Sequence, residues 1–501
     1  MQNPVDFAPR PIACLVGRKL AALQADSPLR SCRGSIELFL HGSLRHKFQM
    51  AIAILPVVLA TTSCTEVIPA TADFAESRCQ TVFDDGVEGV PTIELGAIFG
   101  MTNATGSDTD ALLEARALQL ALAELNDQKY IGGKRLRLTL CDTRSHWSTG
   151  GGQLTRDLVR WLVEKRNVQA IFTDASSDTQ TAAAVAVPRG VLLMAISATS
   201  EDLTTLVDNG LVWRVAPSDI YQGAVLAHVA TQNLAATDKV TVLAVQSPYG
   251  EGLIDALGKA LGKRMEAHTF FSDGKGIEAA VQAAANDNSK AIVVVGDSDQ
   301  LAQIANARAD KPALSALPLF TADGACEGSV LQKTVKAGAS LASLKCTRPG
   351  QSPSDEYNLF VKRFAAKFNG ADAQQSGFTQ HAYDAMYCVA LAYAYATRAG
   401  GPPIVTGKAL AEGLAKLSSG EQLSIKPNDI SKMIGKLAAG TGIDIKGTSG
   451  PLDFNDQTGE APSDYSVWGA GKDGKLANIG YFAVKDQGKG QYAVLPVDVT
   501  P

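Results

Sequence analysis

Two turns rich in hydroxyl side chains carry the clearest chemistry in this sequence. One contains Ser176 and Ser177, the other contains Ser197 and Thr199, and each follows a mostly apolar run typical of a buried parallel strand. Each turn also opens a helical pattern, so backbone N–H groups and the positive end of the helix dipole point at the same space. Together the turns predict half of a cleft for a small anion such as a carboxylate. The alternative is that these hydroxyls only cap their helices.

The composition is that of an ordinary packed protein. Of 501 residues, 46% are hydrophobic and 19% are charged, and the formal net charge is −5, which argues against a disordered chain. Residues 1–63 carry seven Lys or Arg but three Asp or Glu, so their removal leaves a charge of about −9. Such an acidic product argues against nucleic acid as a partner.

The amino-terminal region has the pattern of an export signal. A basic cluster precedes residues 50–63, an uncharged and largely apolar stretch that ends in small residues. This stretch is too short to span a bilayer, which needs roughly 20 residues. Residues 1–63 are therefore predicted to be a signal peptide with an upstream extension, and residues 64–90 a flexible polar tether.

A cysteine directly follows the predicted signal peptide. Cys64 comes after Thr-Thr-Ser and resembles the cysteine of the bacterial lipoprotein lipobox, where a diacylglyceryl thioether anchors the mature chain. Thr61 stands where that motif usually has Leu. The sequence predicts a lipid-anchored protein of the periplasm or cell envelope, and secretion with Cys64 unmodified or removed is the alternative.

Five further cysteines lie in the predicted mature chain. Export makes disulfides permissible, and two pairs are predicted: Cys326 with Cys346 around a surface loop, and Cys79 with Cys141. Cys388 lies in an apolar helical pattern and is predicted to be buried and free. The sequence has no CxxC motif or Cys/His cluster, so neither a metal site nor a cofactor is expected.

Strand and helix patterns alternate along the chain in two successive sets. The first set predicts strands at residues 92–99, 136–140, 168–172 and 191–196, and the second predicts strands at residues 240–245, 266–271, 291–295 and 317–321. Helical patterns follow at residues 356–368, 379–397 and 407–417, and β-like segments at residues 452–454, 465–468 and 479–482. These later helices are most simply assigned to the same folded lobe as the first set of strands.

This alternation predicts an α/β protein with two doubly wound parallel-sheet lobes and a ligand cleft between them. Lobe 1 is predicted from residues 91–217 plus about 350–448, and lobe 2 from residues 218–349 plus about 449–501. The segment between Cys326 and Asp355 is predicted to be a loop that could fill the mouth of the cleft.

Motifs at the ends of these elements resemble those of a known family. They are Ile131-Gly132-Gly133-Lys134, the Ser176-Ser177 turn, Ser197-Ala198-Thr199-Ser200 with Leu203-Thr204, Arg214 to Asp219, Tyr249-Gly250-Glu251-Gly252, Ala382-Tyr383-Asp384-Ala385 and Gly447-Thr448-Ser449-Gly450. In this order, over about residues 92–494, the chain resembles the branched-chain amino-acid binding proteins, which are type I periplasmic solute receptors of ABC importers. The resemblance implies the type I periplasmic binding protein fold.

The resemblance also implies a ligand site. In that family, a serine of the first turn and a threonine of the second bind the ligand α-carboxylate, and the carbonyl two residues earlier accepts from the α-ammonium. These positions are Ser176, Thr199 and Ser197 here. Asp323 matches the acidic residue of the opposite lobe that completes the ammonium site, where family members more often have Glu. Tyr249 matches an aromatic residue that covers the ligand.

Three further residues are candidates for the same cleft. Ser177 neighbours Ser176, and Asp297 and Ser298 follow the strand at residues 291–295, although helix capping explains them equally well. An amino-acid zwitterion needs hydroxyl and N–H donors at one end and a carboxylate at the other, because an unpaired buried charge is strongly unfavourable.

The sequence therefore predicts a monomeric, exported receptor that binds a small amino acid, branched-chain or otherwise apolar, and presents it to an ABC permease. Closure would be a hinge motion without covalent chemistry, so an enzyme is not expected. A sensor on the same fold and a ligand-free structural lipoprotein are the alternatives that the sequence leaves open.

Overall fold

The computed structural model describes residues 77–79, 81–84, 86–103, 106–128, 131–144, 151–350, 354–471, 473–488 and 492–497. The predicted signal peptide, Cys64 and most of the predicted tether lie outside these residues. Across the described ranges, no helix combines the length and the apolar character needed to cross a membrane.

A first sheet is built from residues 81–214. Its elements in chain order are β1 (Thr81–Phe83), β2 (Thr92–Phe99), β3 (Thr102–Asn103), β4 (Gly106–Ser107), α1 (Thr109–Gln128), β5 (Arg135–Asp142), α2 (Gly151–Arg166), β6 (Ala170–Thr173), α3 (Ser176–Ala186), β7 (Leu192–Ala195) and β8 (Val212–Arg214). The strand order is β1-β5-β2-β6-β7-β8, and β3 pairs with β4 as a separate hairpin. From β5 to β8 all neighbours are parallel. β6 and β7 are buried along their whole length, as expected for strands that helices cover on both faces.

The first strand corrects the predicted extent of the tether. Residues 81–83 were expected to be unstructured, but β1 pairs antiparallel with β5 at the sheet edge. Cys79, just before β1, forms a disulfide with Cys141 in β5. Sheet structure therefore begins before Pro91, because a neighbouring cross-link and an open strand edge together order a segment too short and polar to be recognised by pattern.

A second sheet follows the same alternation. Its first elements are α4 (Asp219–Thr231), β9 (Val240–Val245), α5 (Pro248–Leu261), β10 (Met265–Phe270), α6 (Ile277–Ala284), β11 (Ala291–Val295), α7 (Ser298–Ala309), β12 (Leu319–Thr321) and β13 (Lys345–Pro349). β10, β9, β11, β12 and β13 are neighbours in that order and all parallel. β9 and β11 are buried throughout.

The next part of the chain is mainly helical. It contains α8 (Asp355–Lys367), α9 (Thr379–Ala396), α10 (Gly407–Leu414), β14 (Glu421–Ser424), α11 (Pro427–Ala438) and β15 (Ile443–Lys446), with β14 and β15 forming a small parallel sheet. All 18 residues of α9 are buried, because α9 packs against α1, α10 and α11. A largely apolar sequence is what a central helix of this kind requires.

Three antiparallel strands extend the second sheet. β16 (Tyr465–Ala470), β17 (Leu476–Asp486) and β18 (Tyr492–Pro496) continue it beyond β13. Two sequence predictions are corrected here. The segment between Cys326 and Asp355 is not only a loop, since it contains β13, and residues 452–454 form no strand. β13 was missed because it is short and contains Arg348 and Pro349, and because one of its two partners, β16, lies more than 100 residues away.

The cysteines form both predicted pairs. Cys79 is bonded to Cys141 and Cys326 to Cys346, while Cys388 is buried and free. The fold as a whole is the predicted α/β architecture of two parallel-dominated sheets, and the chain passes between the two sets of elements after β8, after β13 and after β15.

Candidate functional site

The turn after β6 places Asp174 and Ser176 at the carboxyl edge of the first sheet. The Asp174 carboxylate accepts hydrogen bonds from the Gly100 N–H at 2.7 Å and from the Ala175 N–H at 2.6 Å. α3 begins at Ser176 and its N-cap residue makes no side-chain cap. The Ser176 hydroxyl instead accepts from the Ser200 N–H at 3.1 Å, so the first turn is bonded to the second.

The turn after β7 holds Ser197 and Thr199 in different surroundings. The Ser197 hydroxyl donates to Oε2 of Glu114 at 3.1 Å. The Thr199 side chain is 1% exposed and lies beside Asp219. Neither the Thr199 hydroxyl nor the Asp219 carboxylate has a hydrogen-bond partner in the described part of the chain. Adjacent hydroxyl residues of one turn therefore point to different places.

A buried arginine fixes the second turn from below. Arg214 donates to the carbonyl oxygens of Ala198 at 3.2 Å and of Ser200 at 2.7 Å. It also forms an ion pair with Glu460, and the Thr204 hydroxyl donates to the same carboxylate at 2.5 Å. Arg214, which belongs to one of the family motifs, thus stabilises the conformation of the turn.

The turn after β12 brings the predicted acidic residue to the opposite side of the cleft. Asp323 is 8% exposed and accepts from the Tyr249 hydroxyl at 2.9 Å, and that hydroxyl accepts from the Gly324 N–H at 3.1 Å. A Cβ at position 324 would lie 3.0 Å from the same hydroxyl and 2.9 Å from the Gly296 carbonyl oxygen. Glycine therefore permits the close approach that holds Tyr249 against Asp323.

The start of α7 supplies a fourth segment. Asp297 is the N-cap of α7, where its carboxylate accepts from the Gln300 N–H at 2.7 Å and the Gln300 side chain accepts from the Asp297 N–H at 3.1 Å. Ser298 is the first residue of the helix and is buried. The capping explanation of Asp297 is therefore correct, and it does not prevent Asp297 from facing the cleft.

Two adjoining cavities lie between these segments. The smaller, of about 70 Å³, is lined by Ser176, Ser177, Tyr249 and Asp323, together with Ala175, Ser247 and Gly324. The larger, of about 220 Å³, is lined by Ser197, Asp297, Ser298 and Asp323 among others. Both share Ala175, Asp323 and Gly324. Of the residues predicted for the ligand site, Thr199 is the one that lines neither cavity.

The larger cavity has an acidic lining, of which Asp297 and Asp323 were predicted from the sequence and most of the other members were not. The first set of elements contributes Asp108, Asp110, Glu114 and Asp174, and the second contributes Asp297, Asp299, Asp323 and Glu327. Lys333 is the basic residue among the described residues of this lining. A signal was available in α1, where Asp110 and Glu114 are four residues apart and so share a helix face.

A family model described as a periplasmic binding protein matches residues 92–475. The chain belongs to the periplasmic binding protein family. No match to it is found among curated proteins.

Solved structures of periplasmic binding proteins share its type I fold. The branched-chain amino acid transporter substrate-binding protein LivJ of Streptococcus pneumoniae, in complex with isoleucine, superposes with a TM-score of 0.59 at 20% identity over 81% of this chain and 100% of that chain. The leucine-binding protein LivK of Thermotoga maritima gives 0.62 at 19% identity over 78% and 99%. A solute-binding protein of an ABC transporter from Rhodopseudomonas palustris, in complex with 3,4-dihydroxybenzoic acid, gives 0.60 at 15% identity over 79% and 99%.

Several carboxyl groups in the cleft of this periplasmic binding protein have raised pKa values. Burial raises the pKa of Asp174 and of Asp323 to about 6. Burial also raises the pKa of Glu114 and of Asp110 well above the usual range, and neighbouring carboxylates add to both shifts. Each shift means that the ionised form lacks enough compensating charge in the unliganded protein.

The acidic groups are not arranged around one metal ion. Among the described residues, no group of three or more His, Cys, Asp or Glu side chains could hold a metal. The carboxylates are instead spread over the walls of the cavity, as contacts to an extended solute would be.

Proposed function

We propose that this periplasmic binding protein is the solute receptor of an ABC importer and binds a small solute with an ammonium group, as an amino acid has, between its two sheets. The observation that supports this most directly is the convergence of polar turns from both sheets on two adjoining cavities. Polar groups that converge in a concave site between two α/β units are typical of small-molecule binding.

Asp323 is the proposed ammonium acceptor. It lines both cavities, and the Tyr249 hydroxyl occupies one of its oxygens. Ser176 and Ser177, which line the smaller cavity near the start of α3, are the proposed contacts for the polar group at the other end of the solute. A helix N-terminus offers N–H donors to a carboxylate there.

Ligand capture in this proposal requires no covalent chemistry. The two lobes close on the solute by a hinge motion, and the liganded form is presented to the permease. The export pattern and the family support a location in the periplasm or cell envelope, and the protein is proposed to act as a monomer. The lipobox resemblance supports Cys64 as the lipid anchor, and the intact mass of the purified mature protein reports a diacylglyceryl group directly.

A ligand screen on the exported, purified protein tests this function. Thermal shifts against amino acids, their decarboxylated amines and aromatic acids, with calorimetry on the hits, should show stabilisation by solutes with an ammonium group, because a ligand selective for the folded state raises its stability. Asp323→Asn should weaken binding at least tenfold, since a hydrogen bond to a charged group contributes roughly 1.5–3 kcal/mol.

Asp310→Asn is the matched control, because Asp310 is a surface aspartate whose side chain is 74% exposed. It should bind as the wild type does. A folded protein that no solute in the panel stabilises would overturn the receptor proposal. Tight binding of an aromatic acid that is indifferent to Asp323→Asn would overturn the proposed ammonium site and leave a receptor for another solute.

A further inference from the structure

The carboxylates of the larger cavity differ in the positive charges and hydrogen-bond donors that lie near them. Lys333 lies 2.9 Å from Oδ1 of Asp299 and 3.7 Å from Oε1 of Glu327, which neutralises part of one wall. Asp108 accepts from the Ala111 N–H at 3.1 Å, and Asp297 caps α7. These groups have local structural roles as well as positions in the lining.

Glu114 and Asp110 have no comparable compensation. Glu114 is 3% exposed, and its Oε2 accepts from the Ser197 hydroxyl at 3.1 Å. Oδ1 of Asp110 is buried without a hydrogen-bond partner in the same part of the chain. No ion pair reaches either carboxylate within the described ranges. A buried, ionised carboxylate with few partners is strongly unfavourable, so the cavity wall at α1 favours a cation as its ligand.

A basic residue behind the cavity does not supply that cation. Arg348 is close enough to Asp110 to oppose the rise in its pKa. Its guanidinium, however, lies 4.8 Å from the ring centroid of Trp468 and donates to the Gln374 carbonyl oxygen at 2.8 Å. Arg348 lines a separate cavity of about 50 Å³, so the acidic wall still faces the larger cavity.

We propose that the solute is a small organic cation with at least two positively charged nitrogen groups, such as a diamine, a guanidino amine or a basic amino acid. This inference rests on the proposed function and specifies its substrate class. One ammonium group binds at Asp323, and the second ammonium or guanidinium group binds Glu114 and Asp110. Phe378, which also lines the cavity, packs against the methylene chain between them and offers an aromatic face to the cation.

Several features favour this class over others. An apolar amino-acid side chain would bury the Glu114 and Asp110 charges without a partner, and an aromatic acid would add a negative charge to them. The absence of a metal-holding group among the described residues argues against a single divalent ion. The cavity of about 220 Å³ is below the roughly 300–1,000 Å³ of pockets for drug-sized ligands, which suits a small metabolite.

Ligand pairs that differ in charge but hardly in shape test the inference. Calorimetry on the full exported protein should compare arginine with citrulline, lysine with norleucine, and 1,4-diaminobutane with 1-aminobutane. For at least one pair, the dicationic member should bind at least 100-fold more tightly than its partner. Calcium and magnesium salts serve as a separate arm.

Two variants locate the second cation. Glu114→Gln and Asp110→Asn should each weaken binding of the preferred cation at least tenfold while leaving the thermal stability of the unliganded protein unchanged or raised, because each removes an uncompensated charge. A purely structural role would lower both. Asp310→Asn is the control, since Asp310 is 74% exposed and lines neither cavity, and it should change affinity less than threefold.

The outcomes are distinct from those for the proposed function. Tighter binding of citrulline, norleucine or another neutral amino acid than of its charged partner would overturn the cation inference and leave the receptor proposal intact. Stabilisation by a divalent metal alone would overturn it as well. If no compound binds to folded protein, both proposals fail.

Discussion

At the scale of single residues, Thr199 shows that burial near the site does not imply contact with a ligand. It is 1% exposed and lines neither cavity, whereas Ser176 lines the smaller one. Thr199→Val should therefore leave affinity within twofold of wild type and leave the free energy of unfolding unchanged or raised, because the buried Thr199 hydroxyl has no hydrogen-bond partner in the described part of the chain. Ser176→Ala should weaken binding two- to tenfold. Calorimetry and urea unfolding measure both, and a larger affinity loss for Thr199→Val than for Ser176→Ala would contradict this assignment.

The same scale shows which site residues could be predicted from the sequence. Ser197 was predicted for the cleft because its hydroxyl-rich turn follows a recognisable strand, and carboxyl ends of parallel strands meet at one edge. Tyr249 and Asp323 were predicted from the family resemblance of their turns. Glu114 and Asp110 were missed because they lie on a helix face, where acidic residues are usually solvated. Only the packing of α1 against the cleft makes them part of the site. The direction of the Thr199 side chain depends on Asp219, and no local pattern encodes that contact.

At the scale of elements, Asp384 explains why two distant motifs belong together. This α9 carboxylate accepts four hydrogen bonds from the loop after β15: from the N–H and hydroxyl of Thr448 at 3.0 and 2.9 Å, and from those of Ser449 at 2.7 and 2.7 Å. A Cβ at Gly447 would lie 2.4 Å from the same carboxylate. Asp384 thus fixes the start of the last connection between the two sheets.

Asp384→Asn should lower the free energy of unfolding by on the order of 2–3 kcal/mol. The amide replaces one acceptor oxygen by a donor that meets the Thr448 or Ser449 donors, which leaves buried groups unsatisfied. Urea unfolding followed by circular dichroism measures this loss. Asp310→Asn should change stability by less than 0.5 kcal/mol, about the limit for a surface substitution. Equal stabilities of the two variants would show that the four contacts contribute little.

The same scale shows which elements could be predicted. β2, β9 and β11 have the bounds that the sequence predicts, because each is an apolar run that its neighbours bury. β13 was not predicted, since a short strand with Arg348 and Pro349 lacks that pattern and is specified by distant pairing. Pairing across the sequence, rather than local preference, decides such strands.

At the scale of the whole molecule, the acidic cleft makes stability depend on pH and on ligand together. Burial raises the pKa values of Asp174 and Asp323 to about 6, from about 3.9 in an unfolded chain. A carboxyl group with a higher pKa when folded binds its proton more tightly in the folded state. Its contribution to stability is therefore greatest below about pH 4 and is lost as the pH rises through 6.

The protein without ligand should accordingly lose stability between about pH 4 and 6, by up to about 3 kcal/mol per group, since one pKa unit corresponds to about 1.36 kcal/mol. Glu356 does not mask this trend: burial opposes its ionisation, but hydrogen bonds from Ser424 and Lys446 lower its pKa to about 2, so it acts below pH 4.5.

Urea unfolding across this range measures the slope. Asp323→Asn should flatten it, whereas Asp310→Asn should not. Parallel curves for wild type and Asp323→Asn would contradict the assignment, because Asp323 would then make no contribution to the slope. A saturating cation should restore stability above pH 6, since it supplies the charge that the ionised carboxylates lack.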